Sequence, residues 1–314
     1  MDLGARLYIA GASTFVGAAL RRRLAAQGFT RVIDDEEPNL RDPRSVDDFL
    51  TRTRPEFVFV AAGETAGIDG NERYPADLMT DNLRVAMSVI PAAARAGVNK
   101  LQYLASSCMY PKHAPQPLAV SSLWTGALEP TSAPYAVAKL AGVALCEAFR
   151  RQHGARFFSA IAGDAYGPGD DFGAARSHVV AALIARMHDA KRRGAEEVDV
   201  WGSGEPRREF IYIDDLADAA IFAMRRYDGD PPINLGTGAS MTIGEVAQAI
   251  REVVGFAGRL RFDRSRPDGM PFKGLDSTPL ASLGWKPCVA LREGLARTYR
   301  SFLETIDRTP STRT

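Results

Sequence analysis

Arg6-Leu7-Tyr8-Ile9-Ala10 is a short apolar run that ends in Gly11-Ala12-Ser13-Thr14-Phe15-Val16-Gly17, and Ala18 to Gln27 then reads as a helix stopped by Gly28. A strand, a glycine-rich turn and a helix in that order admit few folds. The turn lets backbone approach a ligand closely, and the helix start offers free N–H groups and the positive end of its dipole to a pyrophosphate. The unit predicts a dinucleotide held by Gly11, Thr14, Phe15, Val16 and Gly17 at the first strand of a parallel sheet. A strand-turn-helix without any ligand is the other reading of the same residues.

Similar units recur behind it. Thr30 to Ile33, Glu56 to Gly63, Lys100 to Ala105 and Arg156 to Ala162 read as strands, while Asp81 to Ala96 and the segment from Tyr135 to about His153 read as helices. Alternation of this kind predicts an α/β fold, a Rossmann-type doubly wound parallel sheet with a smaller α/β substrate-binding lobe. The dinucleotide-binding domain is expected over 1–165, with returns near 208–236 and 275–288; the lobe is expected from 166–207, 237–274 and 289–314.

The 39 Lys and Arg against 38 Asp and Glu leave a net charge of +1, too little to attract nucleic acid or an anionic membrane from a distance. No apolar run approaches the ~20 residues of a membrane-spanning helix. The N-terminus lacks a basic region followed by an apolar core, so no signal peptide is expected and the cytoplasm is the expected compartment. Cys108, Cys146 and Cys288 form neither a disulfide framework nor a C-x-x-C metal spacing, so reduced thiols and no metal are expected.

Two stretches carry the chemistry. Ser106-Ser107-Cys108-Met109-Tyr110-Pro111-Lys112 follows a buried strand, where open α/β sheets bind ligands. Pro134-Tyr135-Ala136-Val137-Ala138-Lys139 opens a helix, and residues four apart share a helix face. The Lys139 ammonium is therefore expected to favour the Tyr135 phenolate and lower its pKa. Taken alone, the same spacing also describes an amphipathic helix with a snorkelling lysine.

A glycine turn, a serine strand end and a Tyr/Lys helix in this order resemble the extended short-chain dehydrogenase/reductases, which act on nucleotide sugars. The runs S-S-C-x-Y-P-K, L-E-P-T-x-x-P-Y-A-x-A-K-x-A-G and R-R-E-F narrow the resemblance to the GDP-L-fucose synthase family, from Arg6 to about Phe302. This resemblance implies an NAD(P)H-dependent 3,5-epimerase and 4-reductase of a GDP-4-keto-6-deoxy sugar, paired as a homodimer through the Asp81 and Tyr135 helices. It implies that Tyr135 protonates the sugar oxygen as hydride reaches C4, that Ser106 hydrogen-bonds that oxygen, and that Lys139 holds the nicotinamide ribose. Cys108 and His178 match the family's base and acid, while Arg186, Trp201, Arg208 and Lys273 match its substrate contacts. Ala61 and Ala62 would pass beneath the cofactor. Each also has a bland reading: a buried thiol for Cys108, a helix-start residue for His178, a surface cation for Arg186, and lobe packing for Trp201.

Several residues depart from the family pattern. Thr14 replaces the middle glycine of the turn, and its Cβ is expected to crowd the diphosphate. The family habit is NADPH, yet this chain places Ser13 in the turn and Asp34-Asp35-Glu36-Glu37 after the second strand, ahead of Asn39-Leu40. Carboxylates there suit ribose hydroxyls, so the local residues favour NADH. Glu64 and Asp69 add charge to a loop expected over Glu64 to Ala76. Asp164 replaces a neutral amide beside the expected nicotinamide, where a carboxylate opposes a developing oxyanion unless paired or protonated. These departures keep two alternatives open. One is the same scaffold acting on another GDP-sugar, a deoxyhexose or heptose, including a closed epimerisation without net reduction. The other is a non-catalytic dinucleotide-binding module, against which stands the retention of Ser106, Cys108, Tyr135, Lys139 and His178.

Overall fold

Leu7, Tyr8, Ile9 and Ala10 are all buried, as a strand covered on both faces must be. The structure, a computed structural model, describes residues 1–34, 36–173 and 177–308. Its first half alternates β1 (Leu7–Ala10), α1 (Phe15–Ala26), β2 (Val32–Ile33), α2 (Pro43–Thr53), β3 (Phe57–Val60), α3 (Ile68–Arg73), α4 (Pro75–Arg95), β4 (Lys100–Ser106), α5 (Ala133–His153) and β5 (Phe157–Ala162). Then follow β6 (Asp164–Tyr166), α6 (Val179–Arg193), β7 (Glu197–Trp201), β8 (Arg207–Arg208), β9 (Phe210–Tyr212), α7 (Ile213–Arg226) and β10 (Ile233–Leu235). The chain continues through β11 (Met241–Thr242), α8 (Ile243–Val254), β12 (Arg259–Asp263), β13 (Phe272–Lys273), α9 (Thr278–Ser282) and α10 (Leu291–Arg308).

Six strands form one parallel sheet in the order β10-β5-β4-β3-β1-β2. The order reverses beside β1, and the crevice at the carboxyl ends of β1, β3 and β4 is where such sheets take ligands. One face of the sheet packs Tyr8, Val58, Leu101 and Phe157 with Phe49, Val89 and Val143 from α2, α4 and α5. The other packs Leu7, Ile9, Phe59 and Phe158 with Leu20 of α1 and Leu216 and Ala220 of α7. Both faces are covered, which is the doubly wound arrangement. A third core joins Leu183 and Met187 of α6, Ile250 of α8 and Leu295 of α10 to Tyr166 and Tyr212. The remaining strands form small sheets, β11-β8-β13, β12-β7 and β6-β9.

The strand ends shift by a residue or more, as in β2 and β3, and the larger differences from the sequence reading fall at three places. Thr14 caps α1, so the helix begins at Phe15 rather than Ala18. Pro75 opens α4 more than a turn before Asp81, because proline at the first helical position lacks only an N–H that would go unpaired anyway. The loop expected over Glu64 to Ala76 contains α3.

Candidate active site

The glycine turn is built by close approach. Gly11 has φ +88°, and a Cβ there would stand 2.7 Å from the Ala62 Cα; a Cβ on Gly17 would stand 1.9 Å from the Gly11 carbonyl oxygen. Only glycine fits either place. Thr14, by contrast, has φ −68° and ψ 164°, and its Oγ1 accepts from the Gly17 N–H at 3.1 Å. The same hydroxyl lies 2.8 Å from the Gly11 carbonyl and 3.0 Å from the Ala61 carbonyl and has one proton to give to either. The hydroxyl is thus committed to the protein's own backbone. Thr14 turns inward and ties the start of α1 to the end of β3.

A cleft of about 370 Å³ opens beside this turn, lined by Ser13, Arg21, Asp34, Glu36 and Glu37 among others. Asp34 lies 3.7 Å from the Arg21 guanidinium. Asp35 falls outside the described residues. Glu37, one of the acids read as suiting ribose hydroxyls, accepts the Gly11 N–H at 2.6 Å. Asn39 accepts the Arg41 N–H at 3.1 Å. Leu40 belongs to the core with Tyr8 and Phe49, so its side chain is committed to packing rather than to a cofactor. Phe15 and Val16 are half-buried against the core, and a Cβ added at Gly169, in the loop after β6, would stand 4.0 Å from the Phe15 ring.

At the end of β4, Ser106 accepts the Cys108 N–H at 3.3 Å and caps the short helical turn Ser107–Met109. Tyr135 emerges from the first turn of α5, 7% exposed, with its hydroxyl facing those of Ser106 and Thr65. Lys139 is buried one turn on. It donates to the Leu104 carbonyl at 3.4 Å and lies 5.2 Å from the Tyr103 ring centre and 5.9 Å from that of Tyr135. Burial pushes the Lys139 ammonium down to about 8, with Asp81 opposing. Burial and the neighbouring Cys108 push Tyr135 up, and the Ser106 and Thr65 bonds only partly offset them. The expectation that Lys139 lowers the tyrosine's pKa is thus corrected: desolvation wins, and Tyr135 is a protonated donor at neutral pH.

Sequence reasoning missed what holds this corner. A Cβ on Gly63 would stand 2.2 Å from Asn82 Oδ1 and 3.5 Å from Lys139 Nζ, so the chain passes between them. Asn82 donates to the Glu64 and Leu78 carbonyls at 2.8 Å, and Asp81 accepts the Glu64 N–H at 3.0 Å. This clamp sets the path of the segment carrying Thr65. Two successive polar residues turned inward on an amphipathic helix were the available signal. Glu64 lies 3.7 Å from Arg41, and Asp69 pairs with Arg73 of its own helix at 3.0 Å.

The remaining charged residues converge from the smaller sheets. Strand register sets Lys273 opposite Arg208 and Asp164 opposite Phe210. Lys273 Nζ lies 2.6 Å from Asp164 Oδ1, and Arg208 Nε lies 4.0 Å from Asp164 Oδ2. Asp164 is therefore not an unpaired carboxylate at the nicotinamide; its contacts are with the lobe's cations. Burial works against its charge, but Lys273 and Arg208 outweigh burial and hold it below the usual carboxylate range. His178 precedes α6, where burial lowers its pKa and the Asp164 charge opposes. Cys108 is near enough to both Tyr135 and Arg208 to act on each electrostatically.

Arg186 donates to the Asp199 carbonyl at 2.9 Å and lies 5.5 Å from the Trp201 ring centre, whose other guanidinium neighbour, Arg266, is at 4.8 Å. It is half-buried, not a free surface cation. Glu209, 2% exposed, accepts the Thr237, Gly238 and Leu275 N–H groups and so fixes the segment carrying Lys273 against Arg208. Among the described residues, no three His, Cys, Asp or Glu side chains gather as a metal site, and no helix is long and apolar enough to cross a membrane.

A doubly wound sheet with a glycine turn at its switch point and a Ser106, Tyr135, Lys139 cluster beside it defines a class of nicotinamide-dependent enzymes. Residues 7–236 match the family model for the NAD dependent epimerase/dehydratase family, and the chain belongs to that family. It is 46% identical over 307 residues to GDP-L-fucose synthase 1 of Arabidopsis thaliana, covering 97% of this chain and 95% of that protein. It is likewise 46% identical over 314 residues to GDP-L-fucose synthase of Escherichia coli strain K12, covering 96% and 98%. Among solved structures it superposes on the GDP-mannoheptose C4 reductase of Campylobacter jejuni, solved with NADP bound, with TM-score 0.87 and 32% identity over 96% of this chain and 99% of that one.

Proposed function

We propose that this protein converts GDP-4-keto-6-deoxy-D-mannose to GDP-L-fucose, inverting C3 and C5 and then reducing C4. One observation carries the reading: Tyr135 and Ser106 meet at the sheet's carboxyl edge, with Cys108 near both them and Arg208 of the lobe cluster that also holds Lys273 and His178. The C4 ketone acidifies both neighbouring C–H bonds, and hydrogen bonds from Tyr135 and Ser106 stabilise the resulting enolate. Cys108 removes a proton on one face of the ring and His178 returns one on the other. A bound nicotinamide supplies the hydride for C4. Tyr135, kept protonated by burial, then gives its proton to the C4 oxygen.

Gly11, Thr14, Phe15, Val16 and Gly17 form the wall for the cofactor's pyrophosphate, with Ala61 and Ala62 beneath it and Lys139 reaching the nicotinamide ribose. Ser13 and Asp34 line the adenosine end, together with Glu37 and an Arg21 already paired to Asp34, which favours NADH over NADPH. Arg186, Trp201, Arg208 and Lys273 receive the GDP portion. The dinucleotide-binding domain is 1–165 with the returns near 208–236 and 275–288, and the rest forms the lobe, a reading supported by the separate core that α6, α8 and α10 build together with Phe210 and Tyr212. The apolar groove between α4 and α5, lined by the exposed Met87 and the part-exposed Leu83, Ala141 and Leu145, pairs with a second copy. The unpaired Cys108, Cys146 and Cys288 accord with a cytoplasmic enzyme.

A second reading, a 4-keto-GDP-heptose as substrate, is favoured by the paired Asp164 and the heptose reductase likeness. The test is loss of reduced-nicotinamide absorbance with GDP-4-keto-6-deoxy-D-mannose, using NADH and NADPH in parallel. Turnover to the L-fuco product, faster with NADH, is expected; Tyr135→Phe should abolish it while GDP still binds. Cys108→Ser should stop exchange of sugar hydrogens with deuterated solvent. No turnover in protein that binds GDP would replace this substrate by the heptose, and faster NADPH oxidation would overturn the cofactor reading.

A further inference from the structure

Asp164 sits against the two cations assigned above to the substrate diphosphate. Resting on that assignment, we infer that Asp164 is a positioning residue that sets the affinity of this site, an internal counter-ion from which an arriving diphosphate must take Lys273. The contacts are direct, at 2.6 Å to Lys273 and 4.0 Å to Arg208. The side chains are only 12% and 11% exposed for the cations and 28% for Asp164, so water screens these charges poorly.

Mobility is distributed unequally among the three. Asp164 is fastened through its backbone, its N–H donating to the Glu209 carbonyl at 3.0 Å and its strand pairing with β9. Lys273 carries its charge on a flexible four-carbon stem. Its ammonium can exchange one anion for another while the carboxylate stays in place. Lys273 and Arg208 are register partners on adjacent strands, so without Asp164 two like charges would face each other. The carboxylate therefore stabilises the empty site and opposes the filled one. Among the other charges facing this cluster, His178 acts on Asp164, Cys108, Asp268 and Glu129 act on Arg208, and Asp171 acts on His178.

Opposite signs make the test. In Asp164→Asn the melting temperature without ligand should fall, while the GDP dissociation constant, read by calorimetry on the whole protein, should also fall by about tenfold. KM for the nucleotide sugar should drop with kcat changing much less. A residue that merely braces the fold would lower the melting temperature and weaken GDP binding. Asp164→Ser is the second variant should the amide fail to fold. Wild-type protein that binds GDP beside variants that bind it no better overturns the inference alone. Wild-type protein that does not bind GDP overturns the diphosphate assignment, and the inference with it.

Discussion

Thr14→Ala separates two accounts of the glycine turn. If the Thr14 side chain crowded the cofactor, its removal would tighten cofactor binding; in the structure it is instead a structural tie. Its hydroxyl caps α1 through the Gly17 N–H, and loss of such a cap costs about 1 kcal/mol. The hydroxyl also gives one proton to the Gly11 or Ala61 carbonyl, and that bond is worth about 1 kcal/mol more. Together the loss is about 2 kcal/mol. For a chain of 314 residues, with an unfolding entropy of about 2.1 cal/mol/K per residue, this lowers the melting temperature by about 3 °C. Scanning calorimetry measures the shift, with Thr14→Ser as the control that keeps the hydroxyl and stays near wild type. A fluorescence titration with reduced nicotinamide should give the same dissociation constant for all three proteins. An unshifted melting temperature, or tenfold tighter cofactor binding in Thr14→Ala, would refute the reasoning.

Lys139, brought down to about 8 by burial, must be an ammonium to hold the ribose, so the reduction rate should decline as pH rises through about 8. Lys139→Arg should carry activity to higher pH, and a flat wild-type profile from pH 7 to 9 would remove the lysine from this role. Asp170 is pushed up to about 7 by burial, and its Oδ2 finds no hydrogen-bond partner among the described residues. Its folded pKa lies above the unfolded value of about 3.9, so the folded state holds the proton more tightly and stability falls as pH rises from about 4 to about 7. Asp170→Asn should melt higher than wild type at pH 8 and match it near pH 4; an equal offset at both would contradict the assignment. Glu209→Gln leaves one of three backbone donors poorly paired and should cost about 2 kcal/mol in urea denaturation while raising KM for the nucleotide sugar more than it lowers kcat. Wild-type stability in that variant would show that the carboxylate does not fasten Lys273.

The sequence by itself determined those features whose causes lie within a few residues. The apolar run before Gly11, the two glycines that admit no Cβ and the alternation of strands and helices follow from backbone sterics and hydrophobic period, and they led to the α/β class. The spacing of Tyr135 and Lys139 likewise placed both on one helix, and Ser106 at a strand end placed it beside them. Tertiary structure alone decided what those groups are charged against. Asp164 and Lys273 are 109 residues apart and meet only because β6 pairs with β9 and β13 with β8, two strands that follow each other directly in the chain. Thr65 reaches Tyr135 because Asp81 and Asn82 hold the backbone of Glu64 from the interior of a helix whose start the sequence placed more than a turn late. The direction of the Tyr135 shift was misread for the same reason. A four-residue spacing puts an ammonium near a phenol, but the water excluded around both, which dominates the shift, depends on strands and loops brought in from across the chain.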